Sequence, residues 1–445
     1  MGVNRRSFIR YAALTAAGSA AGLRPFGALN SLAQSATDYK ALVCVFLFGG
    51  NDANNTLIQF DTAGYANYAA IRGPLTLPQS SLIQLAQAPN FALNPNLPDI
   101  AKLFDSKAAA LVTNVGTLVA PTTKTAYQHG ATVPTNLFSH PDQQLEWQNA
   151  SQSGSTQSGW AGRIADALTT SSNPNGLVPM ITSVAGDTLF CNGTASTPVS
   201  VSPGNLGGAN CSEGTTECAA QQATAQALLQ FDSGLSLVQA DNTITSNAYN
   251  YAKVLTAATS SLPGLLTTFP TAGLGPQLKQ IAQIIQARAA LGVSRQIFFA
   301  GIGNFDTHSD QVAQQGVLLA SISPALAAFY QATQELGVSS NVTTFTMSDF
   351  SRTFQPNSNT GSDHAWGSHH IVLGGAVKGG QMYGTFPTLA LNGPDDSGTN
   401  GRWVPTTGSV QYAATLASWF GVSASQMATI FPNIGSFPTM NLGFV

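Results

Sequence analysis

Tyr39-Lys40-Ala41-Leu42-Val43-Cys44-Val45-Phe46-Leu47-Phe48-Gly49-Gly50-Asn51-Asp52 decides how the rest of the chain reads. Its first ten residues are apolar at nearly every position, not at every second one. A strand buried on both faces reads this way, and such strands belong to parallel sheets. The run breaks into Gly-Gly-Asn-Asp, a polar loop at the strand's carboxyl end. The pattern recurs at Ala108–Gly116, Gln296–Ile302 and Val342–Met347, the last two running directly into acidic motifs. Helical patterns lie at Pro98–Asp105, Gly159–Leu168, Gln277–Leu291 and Gln314–Leu336. Strand alternating with helix predicts an α/β fold, a three-layer sandwich with a mostly parallel central sheet. Active sites in such folds gather where strands end.

The 445 residues are 43% hydrophobic and only 8% charged, with 17 basic against 20 acidic side chains. That balance excludes a basic nucleic-acid binder and charge-driven disorder. Arg5-Arg6-Ser7-Phe8-Ile9-Arg10, a Gly- and Ala-rich apolar stretch to Leu23, and Ser31-Leu32-Ala33 read as a twin-arginine signal peptide over residues 1–33. The remainder, 34–445, is expected to be periplasmic or secreted. Removing the signal leaves 13 of the 17 basic residues against all 20 acidic ones, a net charge of −7. No later run of uninterrupted apolar residues is long enough for a membrane anchor. Residues 34–445 read as one α/β domain with a polar, cap-like insertion around 190–265. Cys211–Cys218 is the expected disulfide, with Cys191 as the alternative partner, and Cys44 is expected to be buried.

Scarce charge makes clusters informative. Four of the six histidines fall between His308 and His370. They interleave with acids in Asn304–Asp310, Met347–Arg352 and Ser362–His370. Asp and neutral His are ligands for zinc, manganese or iron. Carboxylates converging from several strand ends repel one another unless a cation lies between them.

The sequence resembles an exported bacterial family, domain of unknown function 1501. The resemblance is carried by Phe46–Thr56, Phe138-Ser139-His140-Pro141-Asp142-Gln143, Gly159–Arg163, Phe305–His308, Ser348–Thr353 and Asp363–His370. That family in turn looks like a branch of the alkaline-phosphatase-like superfamily, which includes sulfatases. The resemblance implies one or two divalent cations (Zn, Mn, Fe or Ca), with Asp52, Asp306, His308 and Asp349 as ligands. Phe350 stands where that superfamily has a histidine after the third aspartate. His364 is then expected to substitute, and His369 or His370 to supply the last ligand. Ser139 fits the nucleophile that opens a helix, or else a plain N-cap. Arg352 fits a clamp on an anionic substrate, or else a structural ion pair. The implied activity is metal-dependent hydrolysis of phosphate or sulfate esters, acting on a small anionic ester or a cell-surface polymer. The competing expectation is a non-catalytic surface or matrix-associated protein on a degenerate hydrolase fold.

Overall fold

The computed structural model describes residues 38–151, 157–206, 216–231 and 234–445. The signal segment lies outside these, as do Cys211 and the side chain of Cys218, so the expected bridge falls outside the described residues. Its alternative partner Cys191 is a free, buried thiol, as is Cys44.

The described residues form twelve strands in chain order: β1 Lys40–Leu47, β2 Leu57–Gln59, β3 Ile83–Leu85, β4 Ala88–Leu93, β5 Ala109–Gly116, β6 Ile181–Ser183, β7 Val199–Ser200, β8 Arg295–Ile302, β9 Val342–Ser348, β10 Ser368–Leu373, β11 Met382–Tyr383 and β12 Thr407–Gly408. The main sheet runs β11-β5-β10-β9-β1-β8-β6-β7, with β12 also on β5. β1 pairs in parallel with β8 and β9, and β6 in parallel with β8 and β7. Among the described strands of this sheet only β10 is reversed, antiparallel to both β5 and β9. A smaller antiparallel sheet, β2-β4-β3, sits to one side.

The central strands are covered on both faces, as their unbroken apolar runs require. Leu42, Cys44 and Phe46 of β1 join Phe299, Phe345 and Met347 under the helices Trp160–Ser172 and Ser409–Phe420. The opposite face carries the helices Pro98–Asp105, Gly275–Gln286 and Gln311–Glu335, which pack on one another. By length and composition Gln311–Glu335 is apolar enough to cross a membrane, but Leu319, Ile322, Leu326 and Phe329 are buried inside the protein. Much of the 190–265 segment is helical, Thr216–Leu229 and Ser236–Ser260, while β7 extends the main sheet.

At the end of β1 the chain turns through Gly49 (φ +111°) and Gly50 (φ +85°). A Cβ on Gly49 would lie 2.5 Å from the backbone nitrogen of Asp306, and one on Gly50 2.6 Å from the Phe350 ring. Two side-chain-free residues therefore let the ends of β1, β8 and β9 close on one another. Phe305 N–H donates to Phe48 O at 3.1 Å across that junction.

The reversed strand corrects one expectation. His369 and His370 lie within β10 and are buried, not on a ligand loop. Between the pairs Ser368–Val115 and His370–Val112 the register shifts, so β5 bulges at Asn114, whose φ is +48°. Its displaced N–H donates to His369 Nδ1 at 3.0 Å. A bulge leaves a backbone donor without a ladder partner, and this imidazole supplies the acceptor. His370 packs between Trp147 and Tyr412, at 4.8 and 5.6 Å between ring centres. Burial lowers the pKa of His369 to about 4 and of His370 to about 3. Both stay neutral when folded, whereas the unfolded chain protonates them below about 6.5. Between pH 6.5 and these lowered values the unfolded state binds more protons, so stability falls as pH drops. The urea midpoint is expected to fall between pH 7 and 4.5, and less steeply in His370→Phe. Identical pH slopes in the two proteins would count against this origin.

Candidate metal centre

Three imidazoles reach Asp306 from separate segments. His140 opens the helix His140–Asn149, His308 follows β8 by a short loop, and His364 lies just ahead of β10. On Asp306 Oδ1 converge His308 Nε2 at 2.9 Å and His364 Nε2 at 3.1 Å. His140 Nε2 lies 3.4 Å from Oδ2. The two Nε2 atoms of His308 and His364 are themselves 3.1 Å apart. The ligand atoms of His140, Asp306 and His364 all fall within 4.8 Å of one another.

The far side of each ring is held by an oxygen. His140 Nδ1 meets Asp349 Oδ2 at 2.7 Å, His308 Nδ1 meets Asp363 Oδ1 at 3.2 Å, and His364 Nδ1 meets the Phe138 carbonyl at 2.7 Å. An oxygen acceptor there calls for the proton on Nδ1. In a neutral ring that leaves the Nε2 lone pair aimed at Asp306. Histidines that bind metals are oriented in this way. Three lone pairs and a carboxylate facing one another repel unless a cation or protons sit among them. His140 Nε2 is buried and without a hydrogen-bond partner among the described residues. The donor set and this orphaned nitrogen fit a divalent cation held by His140, Asp306 and His364, with His308 beside them.

Electrostatics support the arrangement. The Asp349 hydrogen bond raises the His140 pKa against the opposing effect of burial. Burial lowers His364. Partial burial would raise Asp306, but the Arg352 hydrogen bond and charge, with His308 and His140, bring it down to about 2.

The family described as "Protein of unknown function (DUF1501)" matches residues 39–400. The chain belongs to the DUF1501 family. No curated protein matches it in sequence. Among solved structures this DUF1501 chain is similar to Ps i-CgsB in complex with k-i-k-neocarrahexaose, with 11% identity and a TM-score of 0.39 over 87% of this chain and 74% of that one. It is also similar to PsFucS1 sulfatase from Pseudoalteromonas sp., with 11% identity and a TM-score of 0.36 over 91% and 73%. A mutant of alkaline phosphatase PafA aligns with 10% identity and a TM-score of 0.23 over 72% and 64%. Likenesses this distant carry no activity across.

The DUF1501 chain departs from the expected ligand list at several positions. Asp52 is fully buried, and both its oxygens have protein partners: Oδ1 accepts from Asn54 N at 3.1 Å, and Oδ2 accepts from Arg72 and Gln311. Asp349 is also buried. It accepts from Gly49 N at 3.1 Å, Gln144 Nε2 at 2.8 Å and His140 Nδ1, so it orients a ligand and does not face the centre itself. Neither His369 nor His370 joins the cluster. Arg352 is fully buried, donating to Asp306 Oδ1 at 2.6 Å, Gly49 O at 3.2 Å and Ser362 O. That is the ion-pair alternative, and no fork is left for a substrate. Ser139 occupies the N-cap position but makes no backbone cap bond, and its hydroxyl donates to Asp142 Oδ2 at 2.5 Å. His140 and Asp363 belong to the site although neither was an expected ligand. Both stand in the motifs Phe138–Gln143 and Asp363–His370, but no local spacing there pairs them with Asp306 or His308.

Asp349→Asn keeps the shape but places an amide where a charged acceptor held His140. Such outer-shell changes cost about 10–100-fold in metal affinity. Competition against a fluorescent chelator should show that loss, and unchanged affinity would remove Asp349 from the site.

Proposed function

We propose that this protein is a metal-dependent hydrolase of phosphate or sulfate esters, exported by the twin-arginine route to the periplasm or beyond. The observation that carries the reading is the set of three imidazoles, each fixed through Nδ1, whose Nε2 atoms turn on one carboxylate. Two imidazole nitrogens and one carboxylate oxygen, with a third imidazole beside them, favour zinc or a similar transition metal over calcium, which prefers oxygen ligands. When bound, the cation would act as a Lewis acid on an ester oxygen and strengthen a water or hydroxyl as nucleophile. The cation and Arg352 together would balance the carboxylates of Asp306, Asp349 and Asp363 around the rings, so an anionic ester would meet no net negative charge there. Ser139 immediately precedes His140, and its hydroxyl proton already points at Asp142, a carboxylate placed to take it. The Arg5-Arg6 segment supports the export reading, and that route carries folded proteins.

The burial of Arg352 favours a second reading, a non-catalytic surface or matrix-associated protein. One measurement separates the two. Purified protein supplied with zinc or manganese is expected to hold about one equivalent and to release p-nitrophenol from p-nitrophenyl phosphate or sulfate. Metal content below about 0.2 equivalents with every cation tried would refute the centre. A loaded protein inert toward both esters would leave the second reading.

A further inference from the structure

Resting on the metal-centre reading above, we propose that Arg402 receives the oxyanion of the substrate, a phosphate or sulfate group. The guanidinium lies 4.3 Å from the centre of the Phe138 ring. Its Nε donates to the backbone carbonyl of His364 at 2.9 Å. The same Phe138 offers its own carbonyl to His364 Nδ1. One arginine is thus fixed to the residue before Ser139 and to the backbone of a candidate ligand.

With one face stacked and Nε engaged, the guanidinium has its Nη1–Nη2 edge left. Neither of those nitrogens has a partner among the described residues, and the side chain is half-buried. That edge is a planar fork, the geometry that binds tetrahedral oxyanions with two parallel hydrogen bonds. The other arginines close to the site offer no such edge. Arg72 is buried against Asp52, Thr353 O and Phe354 O, and Arg352 is buried against Asp306.

The backbone behind Arg402 is held firmly. The buried Asp396 accepts from Asn392 N, Gly398 N, Gly401 N and Arg402 N, at 2.9 to 3.1 Å. Four converging amides fix the turn, so the fork is preorganised and loses little freedom on binding. The loop also reaches the first strand's end, where Trp403 Nε1 donates to Asn54 Oδ1 at 2.9 Å.

The test is calorimetric titration of the purified protein with inorganic phosphate and, separately, inorganic sulfate, with and without bound zinc. The tighter of the two names the ester class. For that anion, Arg402→Gln is expected to bind roughly 10–100-fold more weakly, the range of a charge-assisted hydrogen bond lost, while zinc content stays at the wild-type level. Arg402→Lys, which keeps the charge without the fork, should fall between. Zinc-loaded Arg402→Gln binding the anion as tightly as wild type would overturn the assignment, and so would wild type that binds neither anion. Should Arg402→Gln fail to fold, Arg402→Lys decides, and wild-type affinity in that variant overturns the fork. A wild-type affinity independent of zinc, but still lost in Arg402→Gln, would retain Arg402 and take the cation out of anion binding, whereas metal content below about 0.2 equivalents would remove the metal reading itself.

Discussion

Asp52→Ala is expected to lower the thermal midpoint by roughly 4–6 °C while the protein that remains folded keeps its metal. Asp52 and Arg72 are both fully buried. Removing the carboxylate leaves a guanidinium inside the protein with no counter-charge, and breaking such a pair costs about 3–5 kcal/mol. Arg72 keeps only the carbonyls of Thr353 and Phe354, both at 3.1 Å. Gln311 loses its acceptor too, and Asn54 N–H loses the cap that starts the turn Ala53–Asn55. Differential scanning calorimetry paired with metal analysis checks both halves. An unchanged midpoint together with lost metal would restore Asp52 as a ligand.

Asp306→Asn is expected to abolish metal retention and with it more than about 100-fold in ester hydrolysis, since a bound cation supplies several kcal/mol at about 1.4 kcal/mol per tenfold. The amide is a poor ligand, and its NH₂ group would confront imidazole lone pairs or a cation. Asn still offers Oδ1 to Arg352 and is therefore the cleaner variant. Asp306→Ala removes that acceptor as well. Carboxylate repulsion alone would have the alanine relieve strain and spare the fold. The structure shows the opposite balance, because Arg352 is fully buried and Asp306 is its only carboxylate partner among the described residues. Asp306→Ala should therefore melt below Asp306→Asn. Equal metal content in Asp306→Asn and wild type would remove the centre altogether.

The sheet was legible because its central strands are unbroken apolar runs, and only burial on two faces selects such runs. β1, β5, β8 and β9 consequently fall within a residue or so of their expected places. β10 was not legible. It opens with Ser368-His369-His370, polar residues that suit a loop, and it runs against its neighbours. Nothing in a period of two reveals that one of those imidazoles satisfies a bulge and the other is packed between aromatic rings. In the site, Asp306, His308 and His364 could be named because acid and histidine stand close together at strand ends. His140 could not, because its closeness to Asp306 is created by the whole fold. The roles of Asp52 and Asp349 were hidden for a related reason. A carboxylate at a strand end reads the same whether it faces a metal, an arginine or an imidazole.

The histidine cluster also bears on where in the cell the metal is chosen. His364 and the Phe138 carbonyl that fixes it are 226 positions apart, and His140 and Asp349 are 209 apart. An unfolded chain carries no two of the cluster's ring nitrogens in a fixed chelating geometry, so it cannot discriminate among cations by shape. Selection waits until β8, β9 and the helix after Ser139 have docked. A protein exported already folded would meet that moment in the cytoplasm, among the cations buffered there. One exported as an open thread would meet it outside. The resident ion would then record the compartment in which the chain first closed.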